Sequence, residues 1–364
     1  MNEWSDGVNR ESDKMVSQSL VELLYDLPFD EELWSLQGRQ IGRSGKELLA
    51  EVRRFFDLGL IREIGSIFNA AMLGYKTTLM AASVPEDRLE EVAGIVSGHE
   101  GVSHNYLRDH VVFNLWFTLA AAGGEESLVS AIDELSQKTG VPMRRFDTIR
   151  PYKISFRLSN EALPEPSVKN TAFDTLDAAM QKRLAAAIEI LQQGLPLTEH
   201  PFETLLEKLN FQAPSLSKRF DVNVPSISSG GESGAMMTVK ELLACGNTLK
   251  ELGILRRFGV TWRHRKIGFI ENMLCVWQIP EHQIEAFVER IKGIGVITHC
   301  YRRTRYSDWP WSIYTMIHGR TRGECETIIS QLCQEFSEAK YLAMRTVKEF
   351  KKQRVVYRPM IFEK

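Results

Sequence analysis

Residues 101–119 read GVSHNYLRDHVVFNLWFTL, and residues 295–317 read GVITHCYRRTRYSDWPWSIYTMI. The two stretches carry the same polar residues in the same order: His104, Tyr106 and Arg108 answer to His299, Tyr301 and Arg303. In an extended strand, positions i, i+2 and i+4 share a face, so each stretch is predicted to present an imidazole, a phenol and a guanidinium side by side. Packing alone would not select such residues, and the pattern predicts a site rather than a core. Upstream, FDLGLIREIGSIFNAAMLGY (56–75) aligns with KELGILRRFGVTWRHRKIGF (250–269) and keeps Gly59 with Gly253, Gly65 with Gly259 and Gly74 with Gly268. The offset holds through both motifs, which predicts two copies of one domain joined end to end.

Each copy opens with short helical stretches. The clearest, KELLAEVRRFFDLGLI (46–61), places Leu48, Leu49, Val52, Phe55 and Phe56 on one apolar stripe. A longer helix followed by an RxxG hairpin reads as a winged helix-turn-helix. Downstream come a strand in TTLMAASVP, a helix with Leu89, Val92, Ile95 and Val96 on one face, and two strands around the polar triplet. A helix near 125–139 and a last strand near 142–157 complete the copy. That order, βαββαβ, is ferredoxin-like, and the second copy repeats it. The predicted class is therefore α+β, a tandem duplication of winged helix-turn-helix plus ferredoxin-like domain. Its divisions are a polar tail (1–18), a winged helix (19–76), a ferredoxin-like domain (77–158), a linker (159–176), a second winged helix (177–269) with an insertion at 211–237, and a second ferredoxin-like domain (270–364). The Ser-, Gly- and Pro-rich insertion should spoil a DNA-reading turn, whose helix angle depends on a short connection.

At 364 residues and 43% apolar content the chain can build several cores. No apolar run approaches the length of a membrane helix, and the N-terminus lacks the pattern of a secretion signal, so a cytoplasmic protein is expected. The five cysteines show neither CxxC pairs nor zinc spacing, and read as reduced, mostly buried thiols. A net charge of −2 argues against nonspecific nucleic-acid binding by the whole surface. Local charge differs: RRFGVTWRHRK (256–266) holds five Lys/Arg and His264 with no acid, and Arg302, Arg303 and Arg305 follow. With the His and Tyr pattern, these cations point to a pocket for a polyanion. GRQIGRSGKE near Gly38 lacks phosphate-loop spacing and puts Glu47 where the loop needs a hydroxyl; GGESG has neither the spacing nor the preceding strand of a dinucleotide fingerprint. His99, His110, His200 and His282 read as surface residues at helix ends or turns.

The plan of a winged helix followed by βαββαβ resembles the Lrp/AsnC regulators. The runs SHNYLR, NLWFTL, LRRFGVTWRHRKIGF, THCYRR and SDWPWSIYTMIHG are similar to the siroheme decarboxylases, with two related subunits fused in one chain, over about residues 20–350. Thr298 stands where the family has serine before the histidine, and the insertion is a second departure.

The resemblance implies removal of two acetate carboxyls (C12 and C18) of siroheme as CO2, giving 12,18-didecarboxysiroheme in heme d1 or alternative heme biosynthesis. It implies no cofactor beyond the iron tetrapyrrole itself, whose conjugated ring takes the electron pair. Desolvated carboxylates need Arg or Lys partners, so Arg263, Arg265, Lys266, Arg303 and Arg108 are the expected clamps, with His104 and Tyr106 beside them. A proton must reach the methylene carbon. His264 and His299 are the expected acids, with Tyr301 orienting, and either histidine could instead ligate the substrate iron. The first copy has Asn69, Ala70, Ala71 and Met72 where the second has Arg263, His264, Arg265 and Lys266, which predicts one fully equipped site, dependent chiefly on the second copy. The competing reading is an Lrp/AsnC-type regulator sensing a tetrapyrrole, opposed by the near-neutral charge and by Glu47, Glu51 and Glu241 in the presumed recognition helices. The expected partners are siroheme and its products, with no membrane, DNA binding disfavoured, and self-association or association with related subunits left open.

Overall fold

The structure, a computed structural model, describes residues 16–154, 176–209 and 237–358. The expected tail, linker and insertion fall almost wholly outside the described residues. Ten strands are described in chain order: β1 (Ile61–Phe68), β2 (Tyr75–Ala82), β3 (Val102–Arg108), β4 (Leu115–Ala122), β5 (Met143–Ile154), β6 (Leu255–Trp262), β7 (Glu271–Gln278), β8 (Ile297–Arg303), β9 (Ile313–Gly319) and β10 (Lys340–Lys352). The described residues divide into two compact units that cut across the two copies: residues 23–73 with 176–209 and 237–263, and residues 74–154 and 264–358 with 16–22. Like parts of the two copies thus associate, and each amphipathic element buries its apolar face against another.

In the first of these units the helices Gly45–Asp57 and Val239–Glu251 start alike. Ser44 and Thr238 each accept a backbone N–H three residues on, while Glu47 and Glu241 reach back to the cap amide, so both glutamates are capping-box residues. The Gly45–Asp57 helix closes with Gly59 at φ 67° and a Leu60 N–H to Phe55 carbonyl bond of 2.9 Å, the left-handed stop that glycine makes cheaply. Leu48, Leu49, Val52 and Phe55 are buried, but Phe56 stays 45% exposed in the last turn, so the buried stripe is narrower than its sequence pattern.

The expected hairpin within each copy is replaced by a pairing between copies. Strand β1 runs antiparallel to β6, with Gly65 opposite Gly259, and the turn Ala70–Leu73 with Gly74 at φ 81° carries the chain into β2 rather than back along β1. The backbone crowds this centre: a Cβ on Gly259 would lie 2.2 Å from the Tyr25 carbonyl oxygen.

The other unit is a closed barrel of eight strands in the order β10-β3-β4-β2-β5-β8-β9-β7. Each copy contributes a βαββαβ run, and within it the strands lie in the order fourth, first, third, second. The two sheets are sealed by their last strands. Strand β5 pairs with β2 through Asp147 and with β8 from Thr148 onward; β10 pairs with β7 through Arg345 and with β3 from Thr346 onward. That double duty explains their length of 12 and 13 residues. Outside, each sheet packs on its helices: Leu89, Val92 and Val96 with Leu128 and Leu135 in the first copy, and Ile284, Phe287 and Val288 with Ile329 and Leu332 in the second. Inside lies an aromatic core that includes Phe113, Trp116, Phe146, Trp309 and Tyr314. The five cysteines are free and only Cys333 escapes full burial; burial pushes the Cys300 and Cys325 thiols up to about 12.

Candidate active site

The polar triplets sit on β3 and β8, the strands that meet the other copy at the two seams. Their residues do not all face a ligand. Arg108 and Arg303 are only 3% and 8% exposed, and each is hydrogen-bonded across its seam to the last strand of the other copy. Burial lowers both guanidinium pKa values, that of Arg108 to about 10, still high enough to stay charged at neutral pH. Each lies over its neighbouring phenol, Arg108 at 5.4 Å from the Tyr106 ring and Arg303 at 4.7 Å from the Tyr301 ring. The two arginines expected as clamps for a ligand thus lie in the barrel wall and bond across its seams, and the buried Nε of each has no hydrogen-bond partner among the described residues. His104, His299 and Tyr301 are half-buried, and Tyr106 is buried.

A small cleft opens at the β10–β3 seam. Arg265, Phe269 and Asn272 approach it from the turn and strand entering the second sheet, His318 from β9, and Thr346, Glu349 and Lys352 from β10. Register sets Thr346, Glu349 and Lys352 beside Arg108, Tyr106 and His104, so the first copy's triplet runs along the edge of a cleft built from the second copy. Its enclosed space of about 20 Å³ admits a water-sized group, the end of a side arm rather than a whole macrocycle. Asn272 Oδ1 is buried there without a hydrogen-bond partner among the described residues, and Arg320 lies over the Phe269 ring at 5.7 Å.

The cleft has an imidazole pair behind it. Thr298, buried to 1% exposure, holds its hydroxyl 2.8 Å from His299 Nδ1 and 3.1 Å from His318 Nε2. Burial, then the positive charges of His299, Lys352 and Arg108, push the His318 pKa down to about 3, so His318 is neutral at physiological pH. Sequence reasoning missed His318 although it lies in the run SDWPWSIYTMIHG; the signal was alternation, which sets it on the face of Tyr314 and Met316. Thr298, Asn272, Glu349 and Lys352 were also missed, since only the pairing of β10 brings the last two to the site.

The pseudo-equivalent places at the other seam hold Ala71, Tyr75, Thr78, Ala120, Thr148, Pro151 and Ile154, none of them charged. Of the remaining expected residues, Arg265 lines the cleft and Lys266 is exposed next to it in sequence. Arg263 is exposed and belongs to the other compact unit, where its amide donates to the Leu60 carbonyl at 2.7 Å. His264 opens the turn His264–Ile267, but its side chain lies outside the described residues. His99 and His110, expected on the surface, are half-buried, and their Nδ1 atoms accept backbone N–H bonds in turns. Among the described residues no group of three His, Cys, Asp or Glu side chains could hold a metal ion, and no helix is long and apolar enough to cross a membrane.

The two βαββαβ runs that close the barrel are AsnC-like domains: the model of the AsnC-like ligand binding domain matches residues 72–153 and 266–351. The chain is 29% identical to a siroheme decarboxylase of Hydrogenobacter thermophilus over 93% of both chains. It is 30% identical to the siroheme decarboxylase NirDL subunit of Paracoccus pantotrophus, over 84% of this chain and 85% of that one. A crystal structure of the siroheme decarboxylase NirDL in co-complex with an iron-uroporphyrin III analogue superposes with a TM-score of 0.64 at 27% identity, covering 95% of each chain. The chain belongs to the siroheme decarboxylase family.

Proposed function

We propose that this protein is a carboxy-lyase that removes the C12 and C18 acetate carboxyls of siroheme as CO2. The observation that carries the reading is the one-sided cleft, cationic where its internal duplicate is uncharged, on a chain aligned almost end to end with siroheme decarboxylases. Each turnover breaks one carbon–carbon bond: the acetate arm R–CH2–COO⁻ releases CO2, the electron pair passes into the macrocycle, and a proton adds to the methylene carbon to leave R–CH3. The substrate's own conjugated iron ring accepts the pair.

The chain's contribution is to hold carboxylates and to deliver the proton. Arg265 and Lys352, which line the cleft, are the cations we assign to the ligand's acids, Lys352 from a position 4.0 Å from Glu349, and Asn272 offers an amide. Arg263 and Lys266 extend the same basic segment, with His104 and Tyr106 along the seam. His299, whose Nδ1 is engaged by Thr298, is the favoured proton donor, with Tyr301 beside it at a ring-centroid distance of 6.0 Å; His264 is the second candidate. We read the unit of residues 23–73, 176–209 and 237–263 as two winged helix-turn-helix elements retained as scaffold. Glu47 and Glu241 put negative charge at the first turns of the helices that a duplex would have to meet, opposing phosphate.

The test is anaerobic incubation of the purified protein with siroheme, followed by mass analysis of the pigment. Loss of two CO2 is the expected result, and unchanged siroheme would overturn the proposal. In the same assay His299→Ala and His264→Ala report the donor; general acid catalysis predicts a fall of roughly a hundredfold or more for the residue that serves, and full turnover in a variant removes that histidine from the role.

A further inference from the structure

We propose that Thr298 is a positioning residue: its buried hydroxyl, shared with His318, fixes which nitrogen of His299 faces the bound tetrapyrrole. This rests on His299 being the proton donor. A hydroxyl has one proton to donate and lone pairs to accept, so between two imidazoles it cannot serve both in the same sense. His318 is enclosed on β9 with the positive groups His299 on β8, Lys352 on β10 and Arg108 on β3 acting on it, and it remains a neutral ring. Of its two neutral tautomers, the one with the lone pair on Nε2 takes the Thr298 O–H, and this is the one we assign; the oxygen is then left to accept from His299 Nδ1–H. The Nδ1 edge of His299 is thereby tethered inside the sheet, and Nε2, on the opposite edge of the ring, becomes the end that takes up a proton from solvent and passes it to the substrate methylene, which returns the ring to its Nδ1–H form.

The internal duplicate shows that this arrangement is not a by-product of the fold. In the first copy Ser103 touches His104 Nδ1 at 2.9 Å, as Thr298 touches His299, but its second partner is the hydroxyl of Thr118 at 2.6 Å. A hydroxyl can turn either way and leaves the His104 tautomer undetermined. The place equivalent to His318 is Ala120, since both amides bond back to matching carbonyls, Gly101 and Val296. Of the two copies, the one that supplies the charged cleft puts a second imidazole, His318, on that hydroxyl, where the other puts Thr118.

The experiment uses the whole chain with histidine ¹⁵N labels and reads the His299 tautomer in substrate-free protein, alongside CO2 release from siroheme. Thr298→Val should convert a single Nδ1–H signature into a mixture and slow turnover by roughly tenfold or more. Thr298→Ser should restore both readouts, and His318→Leu, which removes the acceptor from the far side, should also mix the tautomers. An unaltered His299 signature in Thr298→Val, or turnover kept within about twofold of wild type, overturns the proposal. If Thr298→Val does not fold, the His318→Leu spectrum decides alone. Full activity in His299→Ala would overturn the donor assignment instead, and the tautomer readout separates the two failures.

Discussion

Arg108 and Arg303 are related by the internal duplication and bind the two barrel seams in the same way. Arg108 Nη1 donates to the Met344 carbonyl and the Thr346 hydroxyl, both at 3.2 Å; Arg303 Nη1 donates to the Phe146 carbonyl at 2.9 Å and the Thr148 hydroxyl at 3.0 Å. Each bond spans from one copy to the other. Charged donors on buried carbonyls are among the stronger hydrogen bonds. Arg108→Met and Arg303→Met should each lower unfolding free energy by about 2–3 kcal/mol, measured by urea denaturation. A loss confined to siroheme binding, with the urea midpoint unmoved, would show instead that these arginines serve the ligand.

Gly259→Ala tests the pairing of β1 with β6. Its Cβ would meet the Tyr25 carbonyl, a backbone atom that cannot swing aside, so a destabilisation of about 1–3 kcal/mol is expected from overpacking. A thermal melt of the variant indistinguishable from wild type would contradict this packing.

His318 makes stability depend on pH. Its folded pKa of about 3 lies below the ordinary value of 6.5, so below pH 6.5 the unfolded chain binds a proton that the folded chain refuses. The stabilisation is complete above pH 6.5 and is lost as pH falls toward 3, at up to roughly 1.4 kcal/mol per pH unit. His99 and His110 are also lowered by burial and act in the same direction, so the comparison must be with His318→Leu. Urea unfolding at pH 7 and pH 5 should show a steeper decline in wild type than in the variant; equal slopes would mean that His318 is readily protonated in place.

Arg265→Gln and Lys352→Gln should each weaken siroheme binding by roughly ten- to a hundredfold, the worth of a hydrogen bond to a charged group. Titration followed at the pigment's main absorption band measures this. An unchanged dissociation constant in both variants would place the carboxylates elsewhere.

The order of elements, the duplication and the amphipathic faces were legible in the sequence because they depend on local periodicity: the βαββαβ runs, the helix faces of Val92 and Leu128, and the matched glycines Gly59 and Gly253. The basic segment around Arg265 and its absence from the first copy were legible for the same reason, residue by residue. Which strand lies beside which was not. Antiparallel partners are chosen by burial and register over more than 200 residues, and those choices put Lys352 beside His104, buried Arg108 against Met344, and sent β1 to β6 instead of into a hairpin. Strand alternation could say that His299, Tyr301 and Arg303 share a face; closure of the barrel alone decided that the face turns inward at Arg303, where burial makes a guanidinium a tie, while His318 comes within reach of Thr298.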